Sequence, residues 1–273
     1  MNRTRAMVLS YLLISLNLAT ALWGLAFPEV YREPATYVNG WSKATLVGVD
    51  LVSLAAFVGM AILLVVRRPG PRWNALWLGA LFFSAYSHSF QVFTTSLNGK
   101  YPFHLTAFVL ATWASLSAIQ GQIPSSQTST GSGPKQKIVA AWMITLALVL
   151  VGVWTSEWAG QLVAGFGDAH QAAAIQSIAA LDLVLAFPAF LLVGIGLWRG
   201  GFSDSPLPSA LHIAFGIYMA ALAVATWTNL SAGNPGALKE LPQWAALAVA
   251  SATSAVAMLP TRIEAHCGTP AVI

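Results

Sequence analysis

The sequence predicts an all-α membrane protein, a polytopic bundle of eight transmembrane helices. Its 273 residues are 57% hydrophobic and only 8% charged, whereas an ordinary soluble domain is about 25% charged. A soluble chain of this length could not bury so much apolar surface and still keep a polar exterior. The composition therefore makes the lipid bilayer the expected environment of the chain.

Eight apolar runs are each long enough to cross a hydrocarbon core about 30 Å thick, which takes about 20 helical residues. Backbone groups in lipid must be hydrogen-bonded within the protein, so these runs are predicted to be helices. The short alternating segments typical of a β-barrel do not occur in the sequence. The runs lie at residues 7–27, 44–66, 73–96, 102–121, 138–159, 176–198, 209–230 and 240–260.

Basic residues set the predicted orientation. With the N-terminus inside, nine Lys and Arg side chains fall in cytoplasmic segments and four in outer ones. This bias predicts a multi-pass protein of the inner (plasma) membrane with both termini in the cytoplasm. The four outer residues are Arg32, Lys43, Lys100 and Lys239. A cleaved signal peptide is the alternative for the first run, but its apolar stretch of about 20 residues is long for one.

The net charge of +4 does not indicate a nucleic-acid partner, because the sequence has no basic patch interleaved with aromatic residues. The single cysteine, Cys267, excludes a disulfide framework and a cysteine-based metal cluster. No H-x-x-H or H-E-x-x-H spacing occurs, so no metal site is predicted. A Gly-rich phosphate loop is also missing from the sequence, and no cofactor is predicted.

A polar, low-complexity segment divides the chain. Residues 121–137 predict a flexible cytoplasmic linker. It separates a first four-helix half at 1–120 from a second half at 138–260, which a cytoplasmic tail at 261–273 follows.

The two halves align at an offset near 132, which superimposes the Asp-Leu-Val triplets that begin at Asp50 and Asp182. Trp23 and Trp154 precede these aspartates by 27 and 28 residues. Four helices per half predict a parallel repeat about an axis along the membrane normal. Pro188 predicts a kink in the sixth helix, one to two turns beyond the second aspartate.

The Asp-Leu-Val helices, the stretch Tyr86-Ser87-His88 and a final helix rich in small residues resemble a family of uncharacterised bacterial multi-pass membrane proteins. The resemblance covers most of the chain and implies the architecture, without an activity. The small residues between Ala245 and Ala257 predict a face for close helix packing or for a homodimer.

Two aspartates inside apolar helices are the main candidates for chemistry. An ionised carboxylate in a spanning helix costs at least ~2.5 kcal/mol, so Asp50 and Asp182 mark functional positions. Each lies roughly two turns, or ~9 Å, below the outer end of its helix. The repeat predicts that they meet, with one carboxyl keeping its proton, and that they act as general acid and base beside His88. The alternative is that each is a structural anchor, for example Asp50 held by Ser53.

Polar and aromatic residues are predicted to gather at the same level of the outer leaflet. The third helix has a polar stripe that includes His88 and Gln91, whereas Tyr86 points about 160° away from His88. Aromatic rings near this stripe suit an apolar or cationic ligand. The predicted substrate-binding residues are Tyr86, Gln91, Phe90, Phe93, His104, Glu157 and Glu33.

Three functions follow from these features. The leading hypothesis is an acidic pocket in the outer-leaflet half that binds or modifies an amphipathic, lipid-like or isoprenoid-like molecule by acid/base chemistry. The second is a proton-coupled small-molecule transporter, in which the same acids carry the proton and the halves rock about the site. The third is a non-catalytic membrane assembly subunit that docks through its last helix.

Overall fold

The computed structural model describes residues 3–31, 43–66, 70–94, 99–120, 132–164, 176–202 and 205–259. Every regular element within these ranges is helical. Two short 3-10 segments, Pro28–Tyr31 and Pro235–Lys239, accompany the long helices. The long helices are α1 (Arg3–Ala26), α2 (Lys43–Val66), α3 (Pro71–Thr94), α4 (Tyr101–Ile119), α5 (Pro134–Ala164), α6 (Gln176–Trp198), α7 (Leu207–Ser231) and α8 (Leu241–Met258).

Seven of these helices, all except α3, are long and apolar enough to cross a membrane. The chain is therefore a multi-pass membrane protein, as its composition predicts. Helix α3 has the necessary length of 24 residues, but polar side chains lower its hydropathy. Those side chains, which include Ser84, His88 and Gln91, are buried against other helices. A helix shielded by protein does not need an apolar surface on every side.

Five helices form a closed ring in which each packs against the next. The order around the ring is α1, α2, α7, α3 and α4, and α4 packs against α1. Helix α8 packs on α7, while α5 and α6 form a hairpin with few backbone contacts to the ring. Large side chains bridge that gap, since the Phe190 ring of α6 lies 5.4 Å from Phe215 and 5.7 Å from His212 on α7. The ring thus combines four helices before the predicted linker with one that follows it.

Two glycines let α7 fit closely between α2 and α3. A Cβ atom at Gly79 of α3 would lie 2.7 Å from the Cβ of Ile213, which is too close for any side chain. A Cβ atom at Gly48 of α2 would lie 2.5 Å from the Cα of Ala225. The Thr228 hydroxyl adds a hydrogen bond of 2.7 Å to a carbonyl of α2.

Helix α6 widens into a π-helical turn at Asp182–Ala186. The N–H of Phe187 bonds to the carbonyl of Asp182, five residues back. Pro188 comes next and has no N–H to donate, so the preceding turn lacks a regular hydrogen bond. The sequence predicts an irregularity at Pro188, and the structure places it in the turn that contains Asp182. Such π-helical turns frequently occur at functional sites.

The helix ends lie within five residues of the apolar runs in the sequence. Of the predicted linker at 121–137, residues 121–131 fall outside the described part of the chain, and α5 already begins at Pro134. The predicted tail at 261–273 also lies outside the described residues.

Candidate functional site

A buried ion pair occupies the ring near the start of α2 and α4. Lys100 precedes α4 and is 0% exposed, and its Nζ lies 3.0 Å and 3.3 Å from the two carboxylate oxygens of Asp50. The Tyr31 hydroxyl donates a hydrogen bond to Asp50 and accepts one from Lys100. These three side chains form a triad that balances one negative and one positive charge away from solvent.

The triad depends on a glycine of α1. A Cβ atom at Gly24 would overlap the Asp50 carboxylate and the Tyr31 hydroxyl, and it would lie 2.7 Å from Lys100 Nζ. Any larger residue would separate the charges. The missing side chain at Gly24 therefore makes room for the ion pair between α1, α2 and α4.

Burial shifts the acid–base behaviour of the two triad members that lie outside the spanning helices. Burial raises the pKa of the Tyr31 hydroxyl, and the adjacent Asp50 carboxylate raises it further. Burial lowers the pKa of the Lys100 ammonium, while Asp50 acts in the opposite direction. Tyr31 consequently remains a hydrogen-bond donor at neutral pH.

A second network, made of two imidazoles and an amide, lies beside the triad. His88 Nδ1 is 3.0 Å from His104 Nδ1, and His88 Nε2 contacts the Asn17 side-chain oxygen. The Asn17 amide nitrogen donates to Ser84 at 3.2 Å. Because an amide oxygen only accepts, His88 must carry its hydrogen on Nε2. With both rings neutral, His104 then donates from Nδ1 to His88 Nδ1, so the two histidines are opposite tautomers.

A cavity of about 20 Å³ separates the triad from the histidine pair. Its walls include Asp50, Asn17, His88, Gln91 and His104. A water molecule needs about 10–15 Å³ of such volume together with polar partners. The space accommodates water and excludes an acyl chain or an isoprenoid.

Asp182 belongs to a different network. Trp154 Nε1 donates to its carboxylate at 2.8 Å, and the Tyr86 hydroxyl donates as well. The Tyr86 ring meets Tyr218 edge to face at 4.8 Å. Over the described residues, no lysine, arginine or histidine lies within ion-pair distance of this carboxyl. Asp182 is therefore held only by neutral donors.

Helix α3 separates the two carboxyls. Tyr86 and His88 are two residues apart and face about 160° apart, as the helical period predicts, so one reaches Asp182 and the other reaches the ring interior. Within the described chain, Asp50 and Asp182 have no hydrogen-bond partner in common. In place of the one shared pocket that the repeat predicts, there are two sites at one level of α3, because each acid finds its own donors.

The other predicted site residues divide between these sites and the surface. Gln91 lines the cavity, and the buried Phe90 lies 6.5 Å from the Tyr218 ring. Phe93 is 54% exposed, and the exposed Glu157 accepts a hydrogen bond from a neighbouring glutamine of α5. These two do not face either carboxyl network, and Glu33 lies outside the described residues.

Sequence reasoning misses four partners, namely Lys100, Tyr31, Asn17 and Trp154. Lys100 counts as an outer-loop charge in the orientation rule, although it stands one helical turn before His104 and just outside an apolar run. Trp154 suggests the repeat through its distance of 28 residues from Asp182, and the structure joins the same two residues by a hydrogen bond. For Asn17 the sequence does contain a signal, because a polar residue inside the first apolar run is expected to have a hydrogen-bond partner.

The described residues contain no group of three or more His, Cys, Asp or Glu side chains that could hold a metal ion. Comparison with known proteins finds no matching family model, no similar curated protein and no similar solved structure. The resemblance to a bacterial membrane-protein family is therefore not confirmed, and the apolar helices are compatible with a membrane protein.

Proposed function

We propose that this chain is a proton-coupled small-molecule transporter of the inner (plasma) membrane. Asp182 binds the coupling proton, and the Asp50–Lys100 pair holds the ring closed at one end. The observation that carries the proposal is the difference between the two acids. Asp50 is balanced by a buried lysine, whereas Asp182 has only neutral donors.

An acid that is buried in a membrane protein without a basic partner is suited to bind and release a proton. A carboxylate in a spanning helix costs at least ~2.5 kcal/mol if it stays ionised and unpaired. Binding a proton removes this cost, and hydrogen bonds from Tyr86 and Trp154 favour the return of the ionised form. Asp182 is thus suited to alternate between a protonated and an ionised state.

The Asp50–Lys100 pair has the properties of a closing contact. Removing one partner of a buried ion pair costs about 3–5 kcal/mol, because the other charge is left uncompensated. Protonation of Asp50 would leave the charge of Lys100 uncompensated and favour a conformation in which water reaches the lysine. An energy of this size shifts a two-state equilibrium by roughly 150-fold to 5000-fold.

The arrangement of helices supports two equivalent halves that could rock. The α1–α2, α3–α4 and α2–α3 contacts correspond to contacts of α5–α6, α7–α8 and α6–α7, whereas α5 and α8 make few contacts where α1 and α4 pack extensively. Asp50 and Asp182 are 132 positions apart, and so are Tyr86 and Tyr218, whose rings meet between α3 and α7. We count α3 as a membrane span in addition to the seven apolar helices, which makes eight spans and places both termini in the cytoplasm.

The geometry favours transport over modification of a lipid. A cavity of about 20 Å³ beside Asp50 does not admit a lipid-like substrate, and the two carboxyls lie on opposite sides of α3, where they cannot share one reacting bond. A homodimer through α8 stays a prediction, since α8 buries one face on α7.

The test is a proton-flux assay in proteoliposomes loaded with the pH-sensitive dye pyranine. Outward and inward proton movement is followed after adding members of a defined panel of sugars, amino acids and lipophilic cations. We expect at least one compound to trigger proton flux, and Asp182→Asn to abolish it. Glu240→Gln is the matched control, because it makes the same change of carboxyl to amide at an exposed position before α8 and should leave the flux unchanged.

Two results would overturn the proposal. One is that no panel member triggers proton movement above that of empty liposomes. The other is that a compound-dependent flux persists in Asp182→Asn at the rate of the unchanged protein.

A further inference from the structure

We propose that Asp182 and the aromatic rings around it bind a lipophilic organic cation, which takes the place of the coupling proton. This inference rests on the proposed transport function and names its substrate class. It is drawn from the chemistry of the Asp182 site and not from the triad.

The surroundings of Asp182 combine the two features that recognise an organic cation. The carboxylate supplies the opposite charge, and the rings of Trp154, Tyr86 and Tyr218 supply aromatic surface beside it. Cation–π attraction to such rings is the usual means of binding quaternary cations that have no hydrogen-bond donor. Trp154 and Tyr86 already contact the carboxylate through hydrogen bonds, so their rings lie next to the place where a bound cation would pair with it.

The site borders the lipid-facing surface. Asp182 itself is 9% exposed, and the next residues on α6, Leu183 to Leu185, are all exposed. The α5–α6 hairpin makes few backbone contacts with α3 and α7 on this side. A cation that dissolves in the bilayer can therefore approach from the membrane without crossing the closed ring.

The first acid does not compete for such a ligand. Lys100 already lies against both oxygens of Asp50 and occupies the place that a cation would take. Asp182 is the acid whose charge is available over the described part of the chain. This explains why two acids at equivalent positions of a repeat would have different tasks.

The exchange balances charge and protons. A protonated Asp182 binds the cation, the carboxyl releases one proton to water, and the product is a carboxylate paired with the cation. One positive charge enters the site and one leaves it. Proton and cation exclude each other, which is the condition for coupled exchange.

The experiment measures binding of tetraphenylphosphonium to the purified full-length protein in detergent micelles by isothermal titration calorimetry. A pH electrode in weak buffer counts the protons released. We expect one proton per cation bound, and an apparent Kd that falls about tenfold for each unit of rising pH while Asp182 carries the proton. Triphenylphosphine oxide, a neutral analogue, should not bind.

Asp182→Asn should abolish binding, and Glu240→Gln, at an exposed position before α8, should leave it unchanged. Tyr218→Leu keeps the carboxyl and removes one ring, so it should weaken binding about tenfold. This variant tests the site independently if Asp182→Asn fails to fold. Binding without proton release, or binding that Tyr218→Leu and Asp182→Asn leave intact, overturns the inference, as does the absence of binding.

The two proposals fail separately. If tetraphenylphosphonium does not bind while another compound drives proton flux in proteoliposomes, the substrate class is wrong and transport stands. If the cation binds with proton release but no compound moves protons across the membrane, the site is correct and the transport function is wrong.

Discussion

Gly24→Ala places a methyl group of α1 where the Asp50 carboxylate and the Tyr31 hydroxyl already lie, 2.7 Å from Lys100 Nζ. None of these groups can withdraw without weakening a buried bond to another. Opening a buried ion pair costs about 3–5 kcal/mol, and replacing a helical glycine by alanine recovers roughly 1 kcal/mol. We therefore expect the free energy of unfolding to fall by about 2–4 kcal/mol.

Gly59→Ala is the matched control for this change. Gly59 lies in α2, and a Cβ atom there would meet nothing within 4 Å. The free energy of unfolding of the Gly59→Ala protein should rise by roughly 0.5–1 kcal/mol through helix propensity alone. Unfolding of both purified variants by SDS titration, followed by circular dichroism, compares the two signs. Equal stability of Gly24→Ala and Gly59→Ala would refute the packing of the triad against α1.

Three further outcomes follow from the ring interior. Lys100→Met should lower the free energy of unfolding by about 3–5 kcal/mol, and adding Asp50→Leu should recover most of the loss; strictly additive losses in SDS titration would contradict the ion pair. Burial raises the pKa of Tyr31 above its ordinary value of 10, so the unfolded chain releases this proton first and stability is lost as the pH rises above about 10. The unchanged protein should then lose up to about 1.4 kcal/mol per pH unit more than Tyr31→Phe in the same titration. Nitrogen-15 NMR of histidine-labelled protein should find the hydrogen of His88 on Nε2 and that of His104 on Nδ1, and identical tautomers would exclude the directed hydrogen bond between them.

The membrane architecture can be predicted from the sequence because lipid imposes the same condition on every segment. Each span must satisfy its own backbone and needs about 20 apolar residues, so helix positions follow from local composition. The neighbours of each helix do not follow in this way. Helices such as α2 and α7 are apolar on nearly every side, so no periodic face indicates that they pack together.

The burial of the two acids is predictable from the sequence, whereas their partners are not. The cost of burying charge identifies Asp50 and Asp182 because both lie inside apolar segments of the sequence. Their partners come from distant segments, such as Lys100, fifty residues from Asp50, and Tyr86, ninety-six residues from Asp182. Only the packing of α3, with its two faces, decides which acid each partner meets.

The position of α7 in the ring has a consequence for how the protein is made. Helices leave the ribosome in chain order, so α1 to α6 are synthesised before Leu207 begins the helix that fills the gap between α2 and α3. Until then the surfaces around Gly48 and Gly79 lack their protein neighbour, and the ring around Lys100 stays open on one side. Closure of the ring is therefore a late step of biogenesis, and a chain that stops before Leu207 would leave Gly48 and Gly79 without the helix that packs on them.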